Sequence, residues 1–125
     1  MGSDSQTILL VDDNELVRDI TTELLEHIGY HVIAVEHPTT ALDLLATDTP
    51  IDLLLTDLVM PGQIDGFALI AAALQARPTL KTLLASGHTE TSAPQTHPAT
   101  SIPRLTKPFR QSELARAVRD VLAGL

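Results

Sequence analysis

Asp12, Asp13, Asp57, Ser86 and Lys107 each stand where a candidate strand of this 125-residue chain ends. If those strands are parallel, with the first and third as neighbours, the five side chains gather along the edge of strand C-termini. That crevice is the usual ligand site of an open α/β sheet. Three carboxylates crowded there repel one another unless a cation sits among them. Oxygen-only ligands, partly completed by water, favour a hard divalent ion such as Mg²⁺. A metal held by carboxylates beside a lysine and a hydroxyl outlines a phosphoryl site. Metal and lysine neutralise non-bridging oxygens, the hydroxyl donates to one of them, and a carboxylate can be the nucleophile. Asp57, alone at the end of a central strand, is the candidate nucleophile.

Taken singly, these residues have plainer readings. Asp12-Asp13 can cap a helix, Asp57 can form a turn before Pro61, Ser86-Gly87 can be a turn, and Lys107 a solvated charge. All four would have to hold at once, at four strand ends, and that coincidence argues for a shared site.

The positioning elements follow from hydrophobic period. Thr7-Ile8-Leu9-Leu10-Val11 is apolar on both faces, as a strand covered on both sides must be. Val17, Ile20, Leu24 and Ile28 recur at helical spacing, with Asn14 as N-cap and Gly29 as terminator. A second strand spans His31 to Val35. Pro38 suits the first turn of a second helix that carries Ala41, Leu42 and Leu45 inward and ends before Pro50. Ile51 to Thr56 is a third strand, and Leu58 to Asp65 a loop. Asp65 caps a third helix with Phe67, Ile70, Ala71 and Leu74 on one face. Leu80 to Ala85 is a fourth strand. Ile102 to Thr106 is a fifth, placed on a sheet edge because Pro103 lacks a ladder donor. Leu114, Ala117, Val118, Val121 and Leu122 mark a last amphipathic helix with Arg110, Arg116 and Arg119 near its exposed side. The alternation predicts an α/β fold, an open parallel five-stranded sheet with helices on both faces.

From Gly87 to Ser101 the pattern fails. Ser and Thr abound, Pro94 and Pro98 remove amide donors, and no apolar stripe runs through. The helix that should cross back between the fourth and fifth strands is therefore expected to be short or irregular, and more mobile than the others.

Composition excludes several functions. Hydrophobic residues make up 44% and charged residues 19%, enough to build one core, and the length allows one domain, residues 1–125, with residues 1–5 expected as a flexible N-terminus. No cysteine is present, so disulfides, thiolate metal sites and cysteine nucleophiles are out. A formal charge of −8 and an aromatic content of 2% leave little for a nucleic-acid face, so no direct nucleic-acid binding is expected. No membrane or targeting segment is visible, and a cytoplasmic location is expected. His27, His31, His37 and His97 read as ordinary helix-end, surface or loop residues. His88, two after Ser86, could lie over the pocket mouth.

Val11-Asp12-Asp13, Thr56-Asp57-Leu58-Val59-Met60-Pro61, Asp65-Gly66, Ser86-Gly87 and Lys107-Pro108-Phe109 occur in order and at familiar spacing. On these motifs the chain resembles the receiver domain of bacterial two-component response regulators over essentially its full length. The resemblance implies a flavodoxin-like fold of strand order 2-1-3-4-5. It implies that Asp57 accepts a phosphoryl group from a histidine kinase or phosphotransfer protein. Asp12 and Asp13 would bind Mg²⁺ with Asp57 and the backbone carbonyl of Val59. Lys107 would pair with the phosphoryl group, Ser86 would hydrogen-bond to it, and Lys107-Pro108 would be a cis peptide. Such a domain is a signalling module of the phosphorelay, a phosphoprotein that catalyses only its own phosphorylation and dephosphorylation. With no output domain in these residues, it is expected to be a stand-alone regulator or the receiver of a longer protein such as a hybrid kinase.

The chain departs from the family pattern in places. Arg104 stands three before the lysine, where receivers with an aromatic switch carry Tyr or Phe, so the state is expected to be monomer or weak dimer with an altered output. Pro61-Gly62-Gln63-Ile64-Asp65-Gly66 is one residue longer than the commonest loop. Two other classes fit the residues less well. An aspartyl-phosphate phosphohydrolase of the haloacid dehalogenase type normally has a second Asp two after the nucleophile, where this chain has Val59. A nucleotide- or flavin-binding module lacks its phosphate loop after the first strand. A non-phosphorylated interaction module on the same fold is the remaining alternative.

Overall fold

A computed structural model describes residues 6–87, 103–107 and 109–124. Chain order is β1 (Thr7–Val11), α1 (Glu15–Ile28), β2 (His31–Val35), α2 (Pro38–Leu45), β3 (Leu53–Asp57), α3 (Gly66–Ala76), β4 (Lys81–Gly87), β5 (Arg104–Lys107) and α4 (Gln111–Leu122). The strands form one parallel sheet in the order β2-β1-β3-β4-β5. This is the flavodoxin-like α/β topology that the motifs implied.

Alternation along each strand divides the core in two. Ile8, Leu10, Leu53, Leu55, Leu83 and Ala85 face Leu25 of α1 and Leu114, Val118 and Val121 of α4. Leu9, Val11, Leu54 and Leu84 face Ala41 and Leu45 of α2 and Phe67, Ile70 and Ala73 of α3. Each fully buried leucine contributes about 1.5–3 kcal/mol. The two edges, β2 and β5, are less covered, and Pro103 precedes β5 at the edge, where its carbonyl accepts from Leu84 N–H at 3.0 Å.

Helix ends follow the sequence closely. Asn14 Oδ1 accepts from Val17 N–H at 3.0 Å, and Asp65 Oδ1 accepts from Ala68 N–H at 2.8 Å. Gly29, at φ 124°, ends α1 with its N–H on the carbonyls of Leu25 and Glu26. Few side chains but glycine tolerate that backbone.

Two inward faces differ from expectation by one step of rotation. In α1 the buried residues are Thr21 and Leu25, and Ile20 is 50% exposed. In α3 Leu69 and Ala73 are buried with Phe67 and Ile70, and Ala71 is exposed. A 3.6-residue period fixes the spacing of a stripe, but the direction in which the helix leaves its cap fixes its phase. Strand limits also shift: β3 starts at Leu53 and β4 extends to Gly87. The expectations for residues 1–5, for the crossover from 88 to 101 with His88 and His97, for Ile102 at the start of the fifth strand, and for the Lys107-Pro108 peptide lie outside the described residues.

Candidate functional site

The register brings the five residues to one end of the sheet. Asp12 follows the last residue of β1, and Asp57 is the last residue of β3, the strand that pairs with β1. Asp57 lies opposite Ala85, so Ser86 is one residue beyond it on β4. Ser86 lies opposite Thr106, and Lys107 opposite Gly87. Parallel strands end together, which is why residues 45 and 50 positions apart meet here.

One ligand oxygen each from Asp12, Asp13 and Asp57 lies within 4.8 Å of the others. Lys107 Nζ is 2.8 Å from Asp57 Oδ1 and 3.8 Å from Asp12 Oδ2. Two unit charges about 4 Å apart interact by about 4 kcal/mol at an effective dielectric of about 20, so the repulsion among the acids is substantial. Three carboxylates at −1 and the one ammonium that contacts them at +1 leave a formal charge of −2. That remainder and the all-oxygen donor set fit a divalent cation.

The acids differ in how they are held. Asp12 is buried, and its Oδ1 accepts from Asn14 N–H at 2.9 Å. Asp57 Oδ1 accepts from Leu58 N–H at 3.0 Å as well as from Lys107. Asp13 is half-buried. Ser86 is fully buried, and its Oγ finds no hydrogen-bond partner among the described residues. A hydroxyl in that condition costs about 1–3 kcal/mol. Val59 is in the loop two residues past Asp57 with its side chain 43% exposed. Its place near the acids rests on chain position and not on a contact.

The loop after Asp57 is tightly fastened. Met60-Pro61-Gly62-Gln63 is a turn closed by Gln63 N–H to Met60 O at 3.0 Å, with Gly62 at φ 78°. Positive φ at the third position, after proline, is a type II turn. Gly66 then donates its N–H to Leu58 O at 2.8 Å. A Cβ on Gly66 would lie 2.6 Å from Asp57 O and 2.5 Å from Leu84 Cδ1, so the start of α3 is pressed against the strand carrying Asp57.

Three features were missed in the sequence. Arg18 Nη1 donates to Asp12 O at 2.8 Å. Its only advance signal is its position one turn beyond the Asn14 cap. Arg104, half-buried on β5, sets its guanidinium carbon 5.2 Å from the centre of the buried Phe67 ring. The charged head thus has the partner it needs off the solvent, a cation–π contact. Leu16 and Ile20, one turn apart on α1, are 69% and 50% exposed.

A family model for the response regulator receiver domain matches residues 8–119. The chain is 34% identical over 119 residues to the response regulator receiver protein CpdR of Brucella abortus, covering 92% of this chain and 95% of that protein. It is 31% identical to the sensor kinase CckA of the same organism, of which it covers only 13%. It is 36% identical to the transcriptional regulatory protein CpxR of Escherichia coli, of which it covers 48%. Among solved structures, the receiver domain of the hybrid histidine kinase CckA aligns at a TM-score of 0.75 with 31% identity, covering 93% of this chain and 98% of that one. A putative response regulator from Chloroflexus aurantiacus aligns at 0.84 with 30% identity, covering 96% and 99%. Among the described residues no helix is long and apolar enough to cross a membrane. With its fold, its converging acids and these relatives in agreement, the chain belongs to the response regulator receiver domain family of two-component signalling.

Proposed function

We propose that the chain is a phosphoaccepting receiver in which Asp57 is the phosphoryl acceptor. The supporting observation is the meeting of three carboxylates within 4.8 Å with Lys107 Nζ 2.8 Å from Asp57. The donor is a phosphohistidine of a sensor kinase or phosphotransfer protein. An Asp57 carboxylate oxygen forms a bond to phosphorus, the N–P bond of the phosphohistidine breaks, and the released imidazole keeps the electron pair and takes up a proton. In dephosphorylation a water oxygen forms a bond to phosphorus, the Asp57 O–P bond breaks, and the products are inorganic phosphate and the free Asp57 carboxylate, the water's protons passing to phosphate and solvent.

Asp12, Asp13, Asp57 and the Val59 carbonyl would hold Mg²⁺, which would supply neutralising charge for the phosphoryl oxygens. The chain's own groups do the rest. Leu58 N–H and Lys107 hold Asp57 Oδ1 in place. Lys107 then pairs with the phosphoryl oxygens, and the Ser86 hydroxyl, which has no hydrogen-bond partner among the described residues, donates to one of them. Leu16 and Ile20, exposed on the helix that starts beside the acids, offer apolar area for a protein donor. The setting is the cytoplasm, without direct contact to nucleic acid. The state is monomer or weak dimer, because the sequence from Gly87 to Ser101 carries no apolar stripe to build an interface.

Incubation with Mg²⁺ and a small phosphodonor such as phosphoramidate tests the reading by intact mass. One phosphoryl group should be added, be released by hydroxylamine, and fail to appear when the metal is chelated. An unmodified protein under these conditions overturns it.

Two variants probe the supporting roles. Asp13→Ala should weaken Mn²⁺ or Mg²⁺ binding markedly in calorimetric titration; unchanged affinity makes Asp13 a simple cap. Lys107→Ala should keep the fold, which rests on the two apolar cores on either side of the sheet. It should lose the spectral response to beryllofluoride, and a full response counts against the lysine's role.

A further inference from the structure

Among the described contacts, Asp12 and Asp57 are each fixed by a hydrogen bond and by Lys107, whereas none of these contacts holds the Asp13 carboxylate. The direction of the Asp13 side chain is therefore set by its backbone. The peptide joining Asp12 to Asp13 is planar, so the orientation of the Asp12 carbonyl fixes the orientation of the Asp13 N–Cα bond. That carbonyl accepts a partly buried hydrogen bond at 2.8 Å from Arg18 Nη1. Arg18 is itself anchored at both backbone groups: its N–H donates to Asn14 O at 2.8 Å, and its carbonyl accepts from Thr22 Oγ1 at 2.8 Å. The other end of the turn is tied by Asn14 N–H to Asp12 Oδ1 and by Asp12 N–H to Val35 O.

We propose that Arg18 is a positioning residue for the metal-binding acids: by clamping the Asp12 carbonyl it aims the Asp13 carboxylate toward those of Asp12 and Asp57. The proposal rests on the metal site described above and assigns to Arg18 a role that its charge alone would oppose. A cation beside an acidic cluster weakens metal binding by Coulomb repulsion, so a purely electrostatic arginine and a clamping arginine predict opposite signs on removal.

The test is Mn²⁺ affinity of the whole chain without phosphodonor, measured by calorimetric titration alongside far-UV circular dichroism and a urea midpoint. In Arg18→Ala the dissociation constant for Mn²⁺ should rise about ten- to a hundredfold, the usual effect of losing a partner that orients ligands. Arg18→Lys, which keeps a donor and the charge but not the planar fork, should recover part of the loss. Unchanged or tighter binding in a folded Arg18→Ala overturns the clamp. Should that variant fail to fold, Arg18→Met, which keeps the aliphatic stem, carries the same comparison. Wild-type protein that does not bind Mn²⁺ overturns the metal site and the clamp together, whereas wild-type binding with an indifferent Arg18 variant overturns the clamp alone.

Discussion

Asp57→Asn should show no phosphoryl adduct by intact mass under conditions that modify the wild-type chain to completion. The amide has the shape of the carboxylate but neither its charge nor its nucleophilicity, so the loss is of chemistry and not of fold. Two electrostatic effects on stability oppose each other. Lys107 loses the charge it meets at 2.8 Å, while Asp12 and Asp13 lose a neighbour that repels them. The urea midpoint should therefore stay near the wild-type value. An adduct of undiminished rate in this variant would transfer the acceptor role to another acid and sink the assignment.

Gly66→Ala should be the most damaging single-methyl change at the site. The new Cβ would sit 2.6 Å from the Asp57 carbonyl oxygen, 2.5 Å from Leu84 Cδ1 and 3.0 Å from Leu58 Cα. A side-chain tip can move away, but the backbone at Asp57 and Leu58 is held by β4, where Asp57 pairs with Ala85 and Leu58 N–H donates to Ala85 O at 2.9 Å. Overpacking of this kind costs about 1–3 kcal/mol. The gain in helix propensity, at most about 1 kcal/mol in a helix interior, offsets only part of it at this first helical position. A lowered urea midpoint is expected, with reduced phosphorylation because the strand end carrying the acceptor is displaced. A midpoint at or above wild type would show that the loop yields freely.

Strand ends and helix caps were legible because each depends on a few adjacent residues. Asn14 and Gly29 bracket α1, Asp65 starts α3, and candidate strands stopping at Asp12, Asp57, Ser86 and Lys107 align four strand ends. Their convergence needed only the parallel topology. The phase of the helical stripes was not legible. Ile20 is more hydrophobic than Thr21, yet Thr21 is the one buried, because the angle of departure from the cap selects the face. Contacts between remote segments were equally hidden. Nothing near Arg104 in the chain announces Phe67, its partner across the fold.

The seating of Gly66 against the strand of Asp57 also makes the proposed acceptor observable from outside. With no tryptophan and one tyrosine, the chain is nearly silent to fluorescence. It has no cysteine either, so one introduced thiol is a unique point of attachment. Ala71, exposed on α3 more than a turn beyond Gly66, is such a point. A solvatochromic dye there rides on a helix whose first residue touches the acceptor's own carbonyl. Occupancy of Asp57 then becomes readable in real time as a colour change on the opposite side of a rigid element, without a radioactive donor or a partner protein.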